Sequence, residues 1–380
     1  VANETLAANL AGRGFARVEW ADGHIARVAI EGPERADAPL VVPGLIDIQL
    51  NGFAGVNFSD PHLTVDDALA TVAPLAATGV TAFCPTLITN SMEALARNFR
   101  ILEQARAQDR RFARMVPCYH LEGPFLSPGA ARGVHEPAFM HAPDWDEFAR
   151  LQEAAGGAIG ILTLAPEWPG SAAFIERARA AGVVVAIGHT DGGARDVHAA
   201  ADAGAQLCTH LGNGCGQLLD RHANPLWAQL VRDELSASII CDGFHLPPDP
   251  VQVIWRMKGP GRTILVTDAM HVTTLAPGRY SIVGIDIDLL PSGKVVKSDG
   301  ACLAGSALTM NRAVTRFMHL SGASLTQALD AATAAPARLL ARDTLCAAIA
   351  PGQPASFLVA RPGADALDVE AVYLQGERLR

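Results

Sequence analysis

The chain has 380 residues, 49% of them hydrophobic and 18% charged, with 35 glycines and 24 prolines. At roughly 100 to 200 residues per domain, that length predicts two or three domains or one large barrel with an appendage, and the composition excludes a disordered chain. The net charge of −9, without any clustering of lysine and arginine, excludes nucleic acid as the expected partner, because a phosphate backbone demands a basic footprint.

Nearly all the positive charge is arginine, since lysine occurs only at 258, 294 and 297. None of the seven cysteines forms a CxxC pair, which argues against a zinc knuckle and suits reduced thiols. The first twenty residues carry Glu4, Arg13, Arg17 and Glu19 and leave no signal-peptide core. Nowhere do about 18 uncharged apolar residues run together as a membrane span. The sequence therefore reads as a soluble, cytoplasmic protein with no membrane partner.

Along the chain, residues 1–40 read as short strands and turns, for example 15–19 and 25–30. From Val41 a series of short, β-branched, almost wholly apolar runs begins, the pattern of strands buried on both faces. They cover 41–50, 79–88, 115–121, 158–164, 182–187, 206–209, 236–241 and 263–266. Helical periodicity lies between them at 66–77, 91–106, 144–155 and 172–181, several of these segments ending in the Ala-Gly stop of a helix C-terminus.

Eight such units predict an α/β fold, a (β/α)8 TIM-like barrel over 41–343. A doubly wound sheet competes, but its GxGxxG after the first strand is absent. Segment 280–296 reads as an excursion after the eighth strand, followed by helices at 308–320 and 325–340. Residues 344–380 are again strand-like, at 356–360 and 371–374, and are expected to join 1–40 in a small β-sandwich domain.

Barrel enzymes draw their sites from C-terminal strand ends. Those ends carry Gln49 and Asn51, Thr86, His120 and Glu122, Glu167, His189, His210, Asp242 with His245, and Asp268. One histidine at a strand end is usually structural, but a histidine or an acid at the matching place of six runs in eight indicates a site. Glu122, His189 and His210 make an acid-plus-two-imidazoles set that binds catalytic zinc and leaves a water position open; iron, manganese or cobalt also suit it. Such an ion acidifies water and polarises a carbonyl, so hydrolysis follows, with Asp268 placed to shuttle the proton. Taken alone, Thr267-Asp268 reads as a helix N-cap.

Together the motifs reach a family. Pro43-Gly44-Leu45-Ile46-Asp47 followed by Gln49-Leu50-Asn51-Gly52 resembles the first strand of the amidohydrolase superfamily, in the variant with Gln and Asn for two metal-binding histidines. That variant typifies the N-acetylglucosamine-6-phosphate deacetylases. The same resemblance covers His120-Leu121-Glu122-Gly123-Pro124-Phe125, Thr163 to Glu167, Gly188-His189-Thr190, Thr209-His210-Leu211 with Asn213, Asp242 to His245, Val266 to Ala269 and Leu303 to Met310.

The resemblance implies that Glu122, His189 and His210 bind one divalent metal, foremost zinc, and that Asp268 is the acid/base. His135 takes the place of the histidine that hydrogen-bonds the substrate carbonyl; without the resemblance it reads equally as a solvated loop residue. Arg221 and His245 match the phosphate-binding pair, the arginine coming across a homodimer interface, and the sugar is met near Asn213, Gly214 and Leu308. Gln49 and Asn51 are assigned to the substrate side of the site. Gln49 and Asn51 are poor zinc ligands and no lysine ends a barrel strand, so one metal per chain is expected.

The implied reaction is hydrolysis of the acetamide of N-acetylglucosamine 6-phosphate. The alternatives are the same chemistry on N-acetylgalactosamine 6-phosphate or an unphosphorylated N-acyl compound, and a non-catalytic scaffold. The chain departs from the family at Gly212, Asn213, Gly214 and Cys215, at Met270, His271 and Val272, and at 222–225 after Arg221. These loops are expected to face the substrate, with His271 reading as a surface histidine ahead of a new polar contact.

Overall fold

The computed structural model describes residues 4–380. Eight parallel strands follow one another in chain order: Leu45–Leu50, Val80–Ile88, Tyr119–Glu122, Ile159–Leu164, Val184–Ile187, Leu207–Cys208, Ser236–Ile240 and Thr263–Val266. The eighth returns to the first through a bridge between Ala269 and Leu50, supported by Asp268 N–H donating to the Gln49 carbonyl at 3.0 Å. This is a TIM-like barrel. Its strands are buried on both faces by side chains filling the interior and by the surrounding helices, which is why they read as unbroken apolar runs.

The run at 41–50 is two strands. Leu40–Pro43 pairs antiparallel with Phe357–Pro362 and parallel with Glu4–Leu10, outside the barrel, and the barrel strand starts at Leu45. The break falls at Gly44, where Thr81 leaves no room for a side chain, a Cβ there lying 1.9 Å from its Oγ1. The run at 115–121 also shortens. Met115 closes the helix Arg110–Met115, capped by the Asp109 carboxylate, and the strand begins at Tyr119.

The helix expected at 66–77 is two, Val65–Ala70 and Val72–Ala77, parted at Thr71, whose hydroxyl donates back to the Ala68 carbonyl. The one at 325–340 divides at Thr333. Among the described residues no helix is long and apolar enough to cross a membrane.

Both chain ends share one seven-stranded sheet, with Leu40–Pro43 at its centre. Trp20 and Phe357 stand three strand spacings apart along it, about 14 Å at the usual inter-strand distance. Their rings nevertheless lie 5.1 Å apart, so the sheet curls over itself like a sandwich around Trp20, Phe357, Val18 and Ile25.

The excursion after the eighth strand is a three-stranded antiparallel sheet, Gly278–Ile282, Ile285–Leu289 and Val295–Lys297. Its Ile282, Ile287, Leu289 and Val295 pack with Ile88, Met270 and Val272. It therefore roofs part of the face on which the strands end.

Candidate metal centre and catalytic cavity

The third, fifth and sixth strand ends bring Glu122, His189 and His210 together. Glu122 Oε1 lies 3.3 Å from His189 Nε2 and 3.2 Å from His210 Nε2, and the two Nε2 atoms are 3.1 Å apart. Both histidines turn inward from left-handed backbone, with φ of 49° and 32°, and Asp268 does the same at 50°. Non-glycine residues hold that conformation only where their surroundings enforce it, and it clusters at functional sites. Here it aims three side chains off strand ends into one cavity.

The donor set fits a divalent ion. Ala131 O lies 2.9 Å from His189 Nδ1, which puts a proton on that nitrogen and aims Nε2 at Glu122. Two Nε2 atoms and a carboxylate oxygen at such spacing require a positive centre among them, either a proton or a metal. Burial opposes ionisation of Glu122, yet its hydrogen bonds to His189 and His210 hold it well below the usual carboxylate range.

Gln49 and Asn51 lie beside this centre. Gln49 Nε2 donates to Glu122 Oε1 at 2.9 Å and to Asp268 Oδ1 at 3.3 Å, and Asn51 Nδ2 donates to the same Asp268 oxygen at 2.6 Å. Amide N–H groups thus face the carboxylates where a second cation would otherwise sit. Asp268, 8% exposed, is pushed up to about 6 by burial and then by the charge of Glu122. It caps no helix, since its backbone joins the eighth strand end to Gln49 and Ser306.

His135 is buried, with Thr89 Oγ1 2.9 Å from its Nδ1 and its ring centroid 4.4 Å from that of His189. Burial, then the neighbouring His189, hold it down at about 3, so it is a neutral imidazole. A solvated loop residue it is not.

A cavity of about 740 Å³ opens in front of these groups. Glu122, His189, His210, Asp268, His135 and Asn51 line it, as do Asn213, Gly214 and His245. Gly214 has no room for a side chain, since a Cβ would stand 3.0 Å from His210 Cε1. Asn51 Oδ1 and Asn213 Nδ2 are buried without partners, two polar atoms available to a bound molecule. His245 is fixed through Nδ1, 2.7 Å from Asp242 Oδ2.

Other expected residues fall elsewhere. Leu308 is buried outside the cavity lining, and Arg221 is exposed on the loop before the helix Pro225–Val231, away from this chain's cavity. His271 is 8% exposed, not a surface residue; it turns under the excursion sheet with its ring 6.0 Å from Tyr280. Among the departing loops, Gly212 to Cys215 and Met270 reach the cavity. Val272 is core, and Asn224 caps a helix, its Oδ1 accepting from Leu226 and Trp227.

The remaining polar strand ends are structural. His120 sits 3.0 Å from the Ile48 carbonyl and 2.7 Å from Thr163 Oγ1. Thr86 accepts from Leu50 N–H, and Glu167 accepts from the Thr190 hydroxyl and Asp191 N–H. Sequence reasoning overlooked Thr89, Arg132 and Lys297, the last two on the cavity wall. Arg132 adjoins the Gly133-Val134-His135 motif and could have been found; Lys297 has no local signal.

A barrel with one acid, two histidines and a further aspartate at its strand ends defines a metal-dependent hydrolase of the amidohydrolase class. The pattern of the amidohydrolase family matches residues 40–379, and the chain belongs to that family. It is 30% identical to the N-acetylglucosamine-6-phosphate deacetylase of Danio rerio, over 96% of this chain and 93% of that one. The N-acetylgalactosamine-6-phosphate deacetylase of Escherichia coli O157:H7 is 29% identical, over 94% and 95%. A mutant N-acetyl-D-glucosamine-6-phosphate deacetylase of Mycobacterium smegmatis, solved in complex with N-acetyl-D-glucosamine-6-phosphate, matches over the whole of both chains, with a TM-score of 0.89 and 32% identity.

Proposed function

We propose that this chain is a metal-dependent deacetylase that hydrolyses N-acetylglucosamine 6-phosphate to glucosamine 6-phosphate and acetate. The observation that carries the reading is the convergence of Glu122, His189 and His210 on one cavity with Asp268 held beside them by Gln49 and Asn51.

Glu122, His189 and His210 would hold one divalent ion, foremost zinc, which when bound acidifies water and polarises an amide carbonyl. Asp268 accepts the proton of the attacking water and returns it to the departing amine; its raised affinity for a proton suits both halves of that task. His135 donates from Nε2 to the substrate carbonyl as negative charge develops, while Thr89 fixes the ring through Nδ1. Asn51 Oδ1 and Asn213 Nδ2 supply an acceptor and a donor for the sugar or its acetamide.

His245 reaches the cavity and suits a phosphate oxygen. Arg221 faces solvent instead, which supports its acting in the cavity of a second subunit. Leu218, Trp227 and Val231, on the same loop and the helix after it, are exposed apolar side chains that a homodimer would cover. Mixing Arg221→Gln and Asp268→Asn subunits should restore activity that neither possesses alone; no recovery after proven subunit exchange would remove the shared site. Seven thiols without a disulfide support a cytoplasmic setting.

A second reading, the same chemistry on the 4-epimer, is favoured by the Escherichia coli O157:H7 relative. Acetate release from the two epimeric N-acetylhexosamine 6-phosphates separates the readings: a higher kcat/KM on the galacto compound would reassign the substrate and leave the metal and Asp268 roles intact.

A further inference from the structure

Two permanent cations on the cavity wall have no part in the chemistry described so far. Arg132 ends the short turn Ala130–Arg132 that follows the third strand, and Lys297 ends the last strand of the excursion sheet, Val295–Lys297. One follows the third barrel strand and the other comes after the eighth, yet both line the one cavity. Cys302 lines the same cavity beside them.

Neither side chain is used up structurally. Among the described residues Arg132 has no carboxylate within 4.0 Å and its side chain makes no hydrogen bond. Lys297 pairs with Asp299 at 2.8 Å, but that acid is 53% exposed, and an exposed pair of this kind is easily exchanged for a better anion. In a chain of net charge −9, whose cavity already contains the carboxylates of Glu122 and Asp268, a dianionic substrate meets repulsion unless fixed cations offset it.

The turn that bears Arg132 is also tied to the metal centre. Ala131 O is paired with His189 Nδ1 at 2.9 Å, and Ala131 N–H donates to Asp191 Oδ1 at 3.1 Å, an acid that in turn accepts from Ser127 Oγ at 2.7 Å. The guanidinium therefore projects from a backbone clamped on both sides, which suits paired recognition of phosphate oxygens.

We propose that Arg132 and Lys297 form a phosphate-recognition pair belonging to the same chain as the metal ligands, so that each cavity carries its own cations for the substrate dianion in addition to His245. This rests on the reading of the substrate as a phosphorylated N-acetyl amino sugar and names further residues that select for the phosphate.

The test compares N-acetylglucosamine 6-phosphate with N-acetylglucosamine, using metal-loaded wild type, Arg132→Gln, Lys297→Gln and Arg132→Lys. Inorganic phosphate serves as a competitive probe, and metal content is measured as a control on the His189 clamp. Each Gln variant should raise KM for the phosphorylated sugar about tenfold, the size of a charged hydrogen bond, with a smaller change in kcat. Each should also weaken inhibition by inorganic phosphate, while Arg132→Lys recovers part of the loss and metal content stays at the wild-type value. If both Gln variants keep KM and phosphate inhibition within twofold of a wild type that prefers the phosphorylated sugar, the pair does not bind phosphate, although the substrate reading survives. A wild type that turns over both sugars equally and ignores phosphate would overturn the substrate reading and the pair together.

Discussion

Asn51 donates its side-chain amide to Asp268, Nδ2 to Oδ1 at 2.6 Å, and Gln49 donates to the same oxygen at 3.3 Å. With Oδ1 occupied, the other oxygen of Asp268 is the one left to exchange protons in the cavity. Replacing Asp268 by Asn should leave metal content unchanged and lower kcat by about 10²- to 10⁴-fold, the usual contribution of a positioned acid–base group. Turnover and elemental analysis on the same sample check this. A variant within about tenfold of wild type, roughly 1.4 kcal/mol in the barrier, would contradict the assignment.

Metal stoichiometry follows from the same amides. Gln49 Nε2 lies between Glu122 and Asp268 as a donor to both, so the space beside the Glu122, His189 and His210 set is filled by N–H groups instead of a second ion. After extensive dialysis one equivalent of divalent metal per chain should remain. Chelation should abolish turnover and lower the Tm, because an ion bound only by the folded state stabilises it. Two tightly held equivalents would refute the account of these amides.

Away from the cavity, Asp47 gives a pH signature. It is buried in the first strand, accepts from the hydroxyl and the N–H of Thr267, and is raised from 3.8 to about 7, chiefly by burial. In the unfolded chain the group ionises near its ordinary value. Between about pH 4 and 7 the unfolded state has therefore lost a proton that the folded state keeps, and stability falls as pH rises, by at most about 4 kcal/mol across the window. Below pH 4 the contribution is fully present, and above 7 it has been lost. Urea unfolding of wild type and Asp47→Asn from pH 4.5 to 7.5 should show the variant gaining stability relative to wild type with rising pH, whereas parallel curves would show that Asp47 ionises normally.

Lys258 gives a prediction for the scaffold alone. It is 1% exposed, and its Nζ donates to the carbonyls of Gln229, Arg232 and Leu235 at 2.6 to 2.8 Å, tying the end of one helix to the seventh strand. Lys258→Met keeps the stem and strands three acceptors, which should cost about 2 to 3 kcal/mol in urea unfolding at unchanged KM. A loss below 0.5 kcal/mol, taken as roughly the level of an ordinary surface substitution, would mean that water replaces the ammonium.

The barrel was legible because its strands are buried on both faces and therefore stand out as apolar runs with polar residues just beyond them. That rule singled out Glu122, His189, His210 and Asp268, which the fold brings together. It also raised His120 and Glu167, which the fold uses to fasten strands and loops. Whether a histidine near a strand end points inward depends on backbone conformation, such as the positive φ of His189 and His210, and no periodicity encodes that. Apolar pattern equally failed to say which sheet a run joins, so 41–50 read as one strand although Gly44 divides it between two sheets. His271 seemed exposed because its burial comes from the excursion sheet that follows it, a packing that no local pattern encodes.

The measurement that bears most directly on the central claim is acetate release from N-acetylglucosamine 6-phosphate by purified, zinc-supplemented protein, run beside the Asp268→Asn variant. The account predicts stoichiometric acetate and glucosamine 6-phosphate from wild type, and turnover lowered by about 10²-fold or more in the variant with its metal still bound. A metal-loaded wild type that releases no acetate from this sugar or its 4-epimer would contradict it.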